Sequence, residues 1–201
     1  TYITPYMGNY LHDYKEYVWG HLGVDIRAPI GTPVLSIANG VIVRANEADA
    51  TGNKYIVVRH DQVNLNGKKT SIYSWYLHLS EILVSEGKKV KKGEMIGRVG
   101  MTGIATTPHL HLQIDTNDSP FHPYWHFSSS EAKNAGLWFF DAINTGLNKN
   151  LAERYTIHPM NFINQFLWGS QESFSSAPET PKNTPMQTGD ASPSQTLIAS
   201  Y

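Results

Sequence analysis

Nine histidines stand among 201 residues, and three groups of them have a spacing that could do metal chemistry. In His21-Leu22-Gly23-Val24-Asp25 an imidazole and a carboxylate lie four positions apart. A strand or a helix would bring both side chains to one side at that separation, and Gly23 with Val24 disfavours the helix. Pro108-His109-Leu110-His111-Leu112-Gln113-Ile114 alternates strictly. His109, His111 and Gln113 therefore share one strand face, and Leu110, Leu112 and Ile114 the other. Tyr73-Ser74-Trp75-Tyr76-Leu77-His78 ends a further strand with a histidine at its edge.

A catalytic zinc takes three protein ligands of the His or carboxylate type and leaves a fourth position for water. His21, Asp25 and one imidazole of the His-x-His pair meet that need, and spacing alone leaves open which of His109 and His111 it is. The metal brings the pKa of its water from about 15.7 to roughly 7 and polarises a substrate carbonyl. His78 and the other imidazole of the pair are suited to take the water's proton and to steady the oxyanion. No His-Glu-x-x-His motif offers a different base. Each element also has a plain reading. A lone His-x-x-x-Asp arises from a surface ion pair or a capped loop, whereas paired imidazoles repel when charged and seldom lie together without a reason. Their conjunction points to metal. His122 and His126 have ligand-like spacing too, but Pro123 between them argues for a loop and packing, and His12, His60 and His158 read as structural or surface residues.

Elements must exist to hold such a site. Val34 to Ile37, Val41 to Val43, Tyr55 to Val58, Thr70 to Leu77, Lys89-Val90, Met95 to Val99 and His109 to Ile114 read as short strands broken by turns such as Asn39-Gly40. The expected fold is mainly β, an antiparallel sheet or barrel-sandwich core. A helical, aromatic-rich insertion over about 116–157 and a C-terminal helix from Pro159 to a stop at Gly169 complete it. Ser128-x-x-Glu131 is a capping box that opens a helix in the insertion. Residues 1–170 form one expected domain, and the Ser/Thr/Pro-rich stretch 171–201 an expected disordered tail or linker to a possible further domain. The lysines of Gly87 to Gly97 read as a solvated turn.

Composition removes several function classes. With no cysteine there is no disulfide scaffold, thiolate nucleophile or cysteine-ligated metal. Sixteen Lys+Arg against 17 Asp+Glu leave no basic footprint for nucleic acid. No apolar run has membrane-spanning length and no signal segment is present, and an opening at Thr1 suggests a processed or excised piece.

Gly20 to Ile26, Ala28 to Val34, Asn39 to Ile42, Tyr76-Leu77-His78-Leu79, Val90 to Gly97 and Gly100-Met101-Thr102-Gly103 to Pro108-His109-Leu110-His111, in that order, resemble the lysostaphin-like zinc metalloendopeptidases. The resemblance covers Gly20 to Ile114, and Pro159-Met160-Asn161-Phe162 is similar to the family's closing segment. It implies a β scaffold of the duplicated hybrid motif kind, one Zn2+ per chain on His21, Asp25 and His111, and His109 and His78 as catalytic histidines. It further implies hydrolysis of cross-bridge or stem peptides of bacterial peptidoglycan in the periplasm, the wall or outside the cell. The insertion departs from the family pattern and is expected to cap the domain or extend one groove wall, unless its aromatics only anchor a helix. The competing functions are a catalytically silent wall-binding regulator and a lipoyl-type or sugar-phosphotransfer carrier module. The complete His/Asp/His set argues against both.

Overall fold

A computed structural model describes residues 2–11 and 15–167. The expected tail and His12 lie outside the described residues. In chain order the strands are β1 (Tyr2–Thr4), β2 (Val24–Arg27), β3 (Pro33–Leu35), β4 (Gly40–Asn46), β5 (Tyr55–Leu65), β6 (Lys68–Leu77), β7 (Leu79–Ile82), β8 (Lys89–Val90), β9 (Met95–Val99) and β10 (His109–Thr116). Three short helices follow, α1 (Ser129–Asn134), α2 (Phe139–Asn144) and α3 (Lys149–Tyr155), then β11 (Thr156–Ile157) and α4 (Pro159–Leu167). The expected mainly β fold with a helical insertion is what the chain adopts. Its sheets are open, with no closed barrel among the described residues.

One sheet has eight strands in the order β1-β2-β10-β6-β5-β4-β8, with β11 on β10, and the other has three in the order β3-β9-β7. The core fills the space between them: Ile42, Ile56, Val58, Tyr76 and Leu112 of the large sheet meet Val34, Leu79, Ile96 and Val99 of the small one. β5 is buried on both faces at its start. Ile56 and Val58 enter that core, while Tyr55 and Val57 join Trp75 and Leu77 opposite, which is why four consecutive apolar residues stand where a half-exposed strand would alternate.

β5 and β6 run further than their apolar segments suggested. Gln62 adopts φ 59 at an irregularity between His60 and Val63, after which alternation resumes with polar residues. The strands then close through Asn66-Gly67, both at positive φ, as a two-residue hairpin turn of this handedness requires. The capping box forms as expected: Glu131 N–H donates to Ser128 Oγ, and Ser128 N–H to Glu131 Oε2. α2 packs Ala142 and Ile143 against Phe127 and Ala132, and Trp125 touches three of the apolar clusters.

Because Ile96 is fully buried where the small sheet meets the large one, Ile96→Ala should lower the free energy of unfolding in urea by about 3 kcal/mol. A loss below about 1 kcal/mol would show that the two sheets do not share a close-packed core.

Candidate metal centre

Strand register brings the chemistry to one face. Asp25 of β2 is opposite His111 of β10, and His111 is in turn opposite Leu77 of β6. Side chains of directly paired residues leave a sheet on the same side, so Asp25, His111 and the end of β6 form one row. His21 arrives from the segment before β2. Its backbone is tied down by Met7 N–H donating to His21 O at 2.6 Å and by Gly20 N–H donating to Ile143 O of α2 at 3.0 Å. Gly23 lets this segment cross β10, since a Cβ there would lie 2.4 Å from Leu112 O and 2.9 Å from His111 Nε2. The i, i+4 spacing thus belongs to a loop entering a strand.

His21, Asp25 and His111 are all buried, and among the described residues they are the group that could hold a metal ion, their donor atoms lying within 4.8 Å of one another. Asp25 Oδ1 lies 3.2 Å from His21 Nε2 and 2.9 Å from His111 Nδ1, and the two nitrogens are 3.1 Å apart. The far side of each ring fixes its tautomer. His21 Nδ1 faces Pro5 O at 3.1 Å, and a carbonyl only accepts, so Nδ1 carries the proton and Nε2 a lone pair.

His111 Nε2 faces Gln113 Oε1 at 3.4 Å. The Gln113 amide is oriented because its Nε2 donates to Asp115 Oδ1 at 2.6 Å and to Tyr124 O at 2.9 Å. That leaves His111 Nδ1 bare as well. With both rings neutral, two lone pairs and a carboxylate converge and repel one another, and a cation, whether a proton or a metal ion, relieves that repulsion. This donor set, with its outer carbonyl and amide supports, fits zinc.

The surroundings tune these groups. Burial raises Asp25, but His21 and His111 outweigh it and hold its carboxyl well below the usual range. Burial lowers His21, and the Asp25 charge together with hydrogen bonds to Asp25, Pro5 and Gly23 overcomes it and leaves the ring raised. His111 is lowered, chiefly by burial. His78 falls to about 4 through burial and then the charge of His111.

His109 and His78 lie beside the cluster, their rings 4.6 Å apart. His109 Nε2 is 3.7 Å from Asp25 Oδ1, and its Nδ1 donates to Thr107 O at 2.7 Å. His78 Nδ1 donates to Thr102 O at 2.8 Å. Both rings therefore present a bare Nε2 when neutral. All five residues singled out by spacing and resemblance are together.

The remaining histidines do other work. His122 pairs with Asp115 at 3.2 Å and stacks on Tyr73, while His126 is buried with neither ring nitrogen bonded. The two join no metal-holding group among the described residues. His60 bridges Asn39 O and Ser74 Oγ, and His158 accepts from Met160 N–H at the start of α4. Sequence reasoning missed Asp115, although the alternation that exposed His109, His111 and Gln113 reaches it one step later. It also missed Tyr10, which packs edge-on against His21 at 5.4 Å from a stretch with no pattern of its own.

Two clefts of about 300 and 340 Å³ flank the site, and His78, Ile104, Tyr10 and Phe140 line both. The insertion thus does two things at once. Phe139 and Phe140 of α2 supply cleft wall, while Trp125, stacked on Phe139 at 5.4 Å, ties that wall to the core.

Residues 20–123 match the family described as Peptidase family M23. The chain is 39% identical over 110 residues to the peptidoglycan DD-endopeptidase ShyA of Vibrio cholerae, covering 55% of this chain and 24% of that protein. It is 37% identical over 126 residues to the glycyl-glycine endopeptidase ALE-1 of Staphylococcus capitis, covering 57% and 33%. It is 41% identical over 98 residues to lysostaphin of Staphylococcus staphylolyticus, covering 48% and 19%. The chain thus spans between a fifth and a third of these relatives' length.

One prediction concerns acid sensitivity. Burial, then the nearby His21, lowers His126 to about 4, against about 6.5 in an unfolded chain. Keeping this ring neutral therefore contributes stability that is complete above about pH 6.5 and is lost as pH falls toward 4. Between those limits wild type should lose about 3 kcal/mol more unfolding free energy than His126→Leu. Equal acid losses in the two proteins would show that His126 is readily charged in the fold.

Proposed function

We propose that this chain, which belongs to peptidase family M23, is a zinc-dependent endopeptidase that hydrolyses peptide bonds in bacterial cell-wall peptidoglycan. The observation that carries the reading is the convergence of bare His21 Nε2, Asp25 Oδ1 and His111 Nδ1, each held by a group behind it. Three such ligands leave a fourth position free, the arrangement of a catalytic zinc site, with one ion per chain. The substrate class follows from the names of two relatives, a peptidoglycan DD-endopeptidase and a glycyl-glycine endopeptidase. A protein acting on such a substrate works outside the cytoplasm, in the periplasm, the wall or the medium. No helix among the described residues is long and apolar enough to cross a membrane.

When bound, zinc supplies a Lewis acid that makes water a competent nucleophile near neutral pH and polarises the scissile carbonyl. His109 and His78 handle the protons. Neither neutral ring can donate from Nε2, because its proton sits on Nδ1 and is given to Thr107 O or Thr102 O. Each must first accept a proton, and the imidazolium so formed can then donate to the oxyanion or to the leaving amine. Phe139 and Phe140 flank the path and select among peptides by shape. A silent regulator on this fold would have no need of the whole constellation, so that reading is not favoured.

Zinc analysis beside peptidoglycan digestion tests the proposal. Wild type should carry near one zinc per chain and release peptides whose masses identify the bond cut. His111→Ala should lose metal and turnover together, whereas His109→Ala should keep metal and lose turnover by about 100-fold or more. Equal metal loss in the two variants, or a wild type that binds no zinc, would refute the assignment. Phe140→Ala should change the product distribution with zinc content intact, and an unchanged distribution would remove the cleft wall from specificity.

A further inference from the structure

We propose that Asn53 is a positioning residue for His78, its carboxamide oxygen sharing the Nδ1 proton so that the Nε2 lone pair stays turned toward the cleft. The inference rests on the reading above that His78 takes part in the reaction. Asn53 Oδ1 lies 3.1 Å from His78 Nδ1, beside the 2.8 Å contact to Thr102 O, so one N–H is held between two acceptors.

The amide is itself held in one orientation. Its NH2 donates to Thr51 Oγ1 at 2.6 Å and toward Asp49 Oδ2 at 3.3 Å. A carboxylate can only accept, so the NH2 must face Asp49 and the carbonyl must face His78. Asp49 is fixed in turn, its Oδ1 accepting from Thr51 N–H, Thr51 Oγ1–H and Asn53 N–H at 2.7, 2.6 and 3.0 Å. The result is a closed bracket of three side chains standing behind one imidazole.

Two further observations point the same way. His78 has φ 65, a left-handed conformation unfavourable for a non-glycine residue and sustained by its surroundings. Gly103 has φ 71, and a Cβ there would fall 1.7 Å from Asn53 Oδ1, so the adjoining turn leaves open the space that the carboxamide fills. Asn53 is buried although it belongs to a loop. A structural turn needs the Asp49 bonds but has no use for a buried amide oxygen aimed at a histidine.

The test reads the imidazole directly. In nitrogen-15 imidazole spectra of the zinc-loaded protein, His78 should be the Nδ1–H form in wild type, and in Asn53→Ala, where Thr102 O is the acceptor that remains, its ring resonances should shift and broaden, the signal being assigned by its loss in His78→Ala. On soluble cross-linked muropeptides Asn53→Ala should lower kcat by about 10- to 100-fold with KM little changed and zinc content intact. The double exchange Asp49→Asn with Asn53→Asp restores an acceptor facing His78 and should recover a single sharp set of His78 ring resonances and most of the turnover. Should Asn53→Ala fail to fold, Asp49→Ala, which cuts the bracket nearer the surface, should show the same changes to a smaller degree. Wild-type His78 resonances and kcat in Asn53→Ala and Asp49→Ala, with His78→Ala inactive, would overturn the proposal alone, and a fully active His78→Ala would overturn the reading on which it stands.

Discussion

A carboxylate with almost no access to water sits at the centre of this molecule. Asp25 Oδ1 has His111 Nδ1 at 2.9 Å and His21 Nε2 at 3.2 Å, and a buried charge without partners would cost several kcal/mol. What keeps partners there is the antiparallel register of β2 against β10 and of β10 against β6. A slip of one residue would turn His111 into the core and Leu112 into the cleft. The apolar residues of β10 therefore do more than add stability, because Leu112 and Ile114, packed in two different clusters, lock the register that aims the imidazoles.

Around that centre, backbone carbonyls set the protonation pattern. Pro5, Thr102 and Thr107 each take the Nδ1 proton of one histidine, which turns three Nε2 lone pairs toward one place. His111 is reversed. Its outer nitrogen is Nε2, answered by Gln113, and the Gln113–Asp115 pair carries that support on to Tyr124 in the insertion. Ligand geometry is thus tied to both the N-terminal segment and the insertion, although neither supplies one of the three donors.

His78 occupies the point where the chain leaves the large sheet and enters the small one, between β6 and β7. A residue at such a crossing can turn sharply and reach a cleft from the sheet edge, at the cost of an unfavourable φ. The hydrogen bonds of Asn53 and Thr102 hold the ring at that crossing. On the far side of the cleft, α2 places aromatic rings that Trp125 connects to the packed interior, so the cleft wall is braced by the core.

Much of this was legible in the residues themselves. Strict alternation through β10 sorted ligand-type side chains from core side chains, and short β-branched runs marked most strands, because pleat and side-chain burial repeat with the same period of two. His21 and Asp25 were legible as a pair, though not as a loop entering a strand, since four positions separate neighbours in several conformations. Spacing could not choose between His109 and His111: both leave the strand on one side, and only the register with Asp25 and the bonds behind each ring make them unequal. Asn53 and Tyr10 were invisible as site residues because their parts come from contacts across the fold, which leave no local period, whereas Asp115 lay on the alternating face of β10 one step beyond Gln113. The sequence by itself determined which faces are apolar and which carry imidazoles. Tertiary structure decided which lone pairs meet, because tautomer and direction depend on acceptors brought from distant segments.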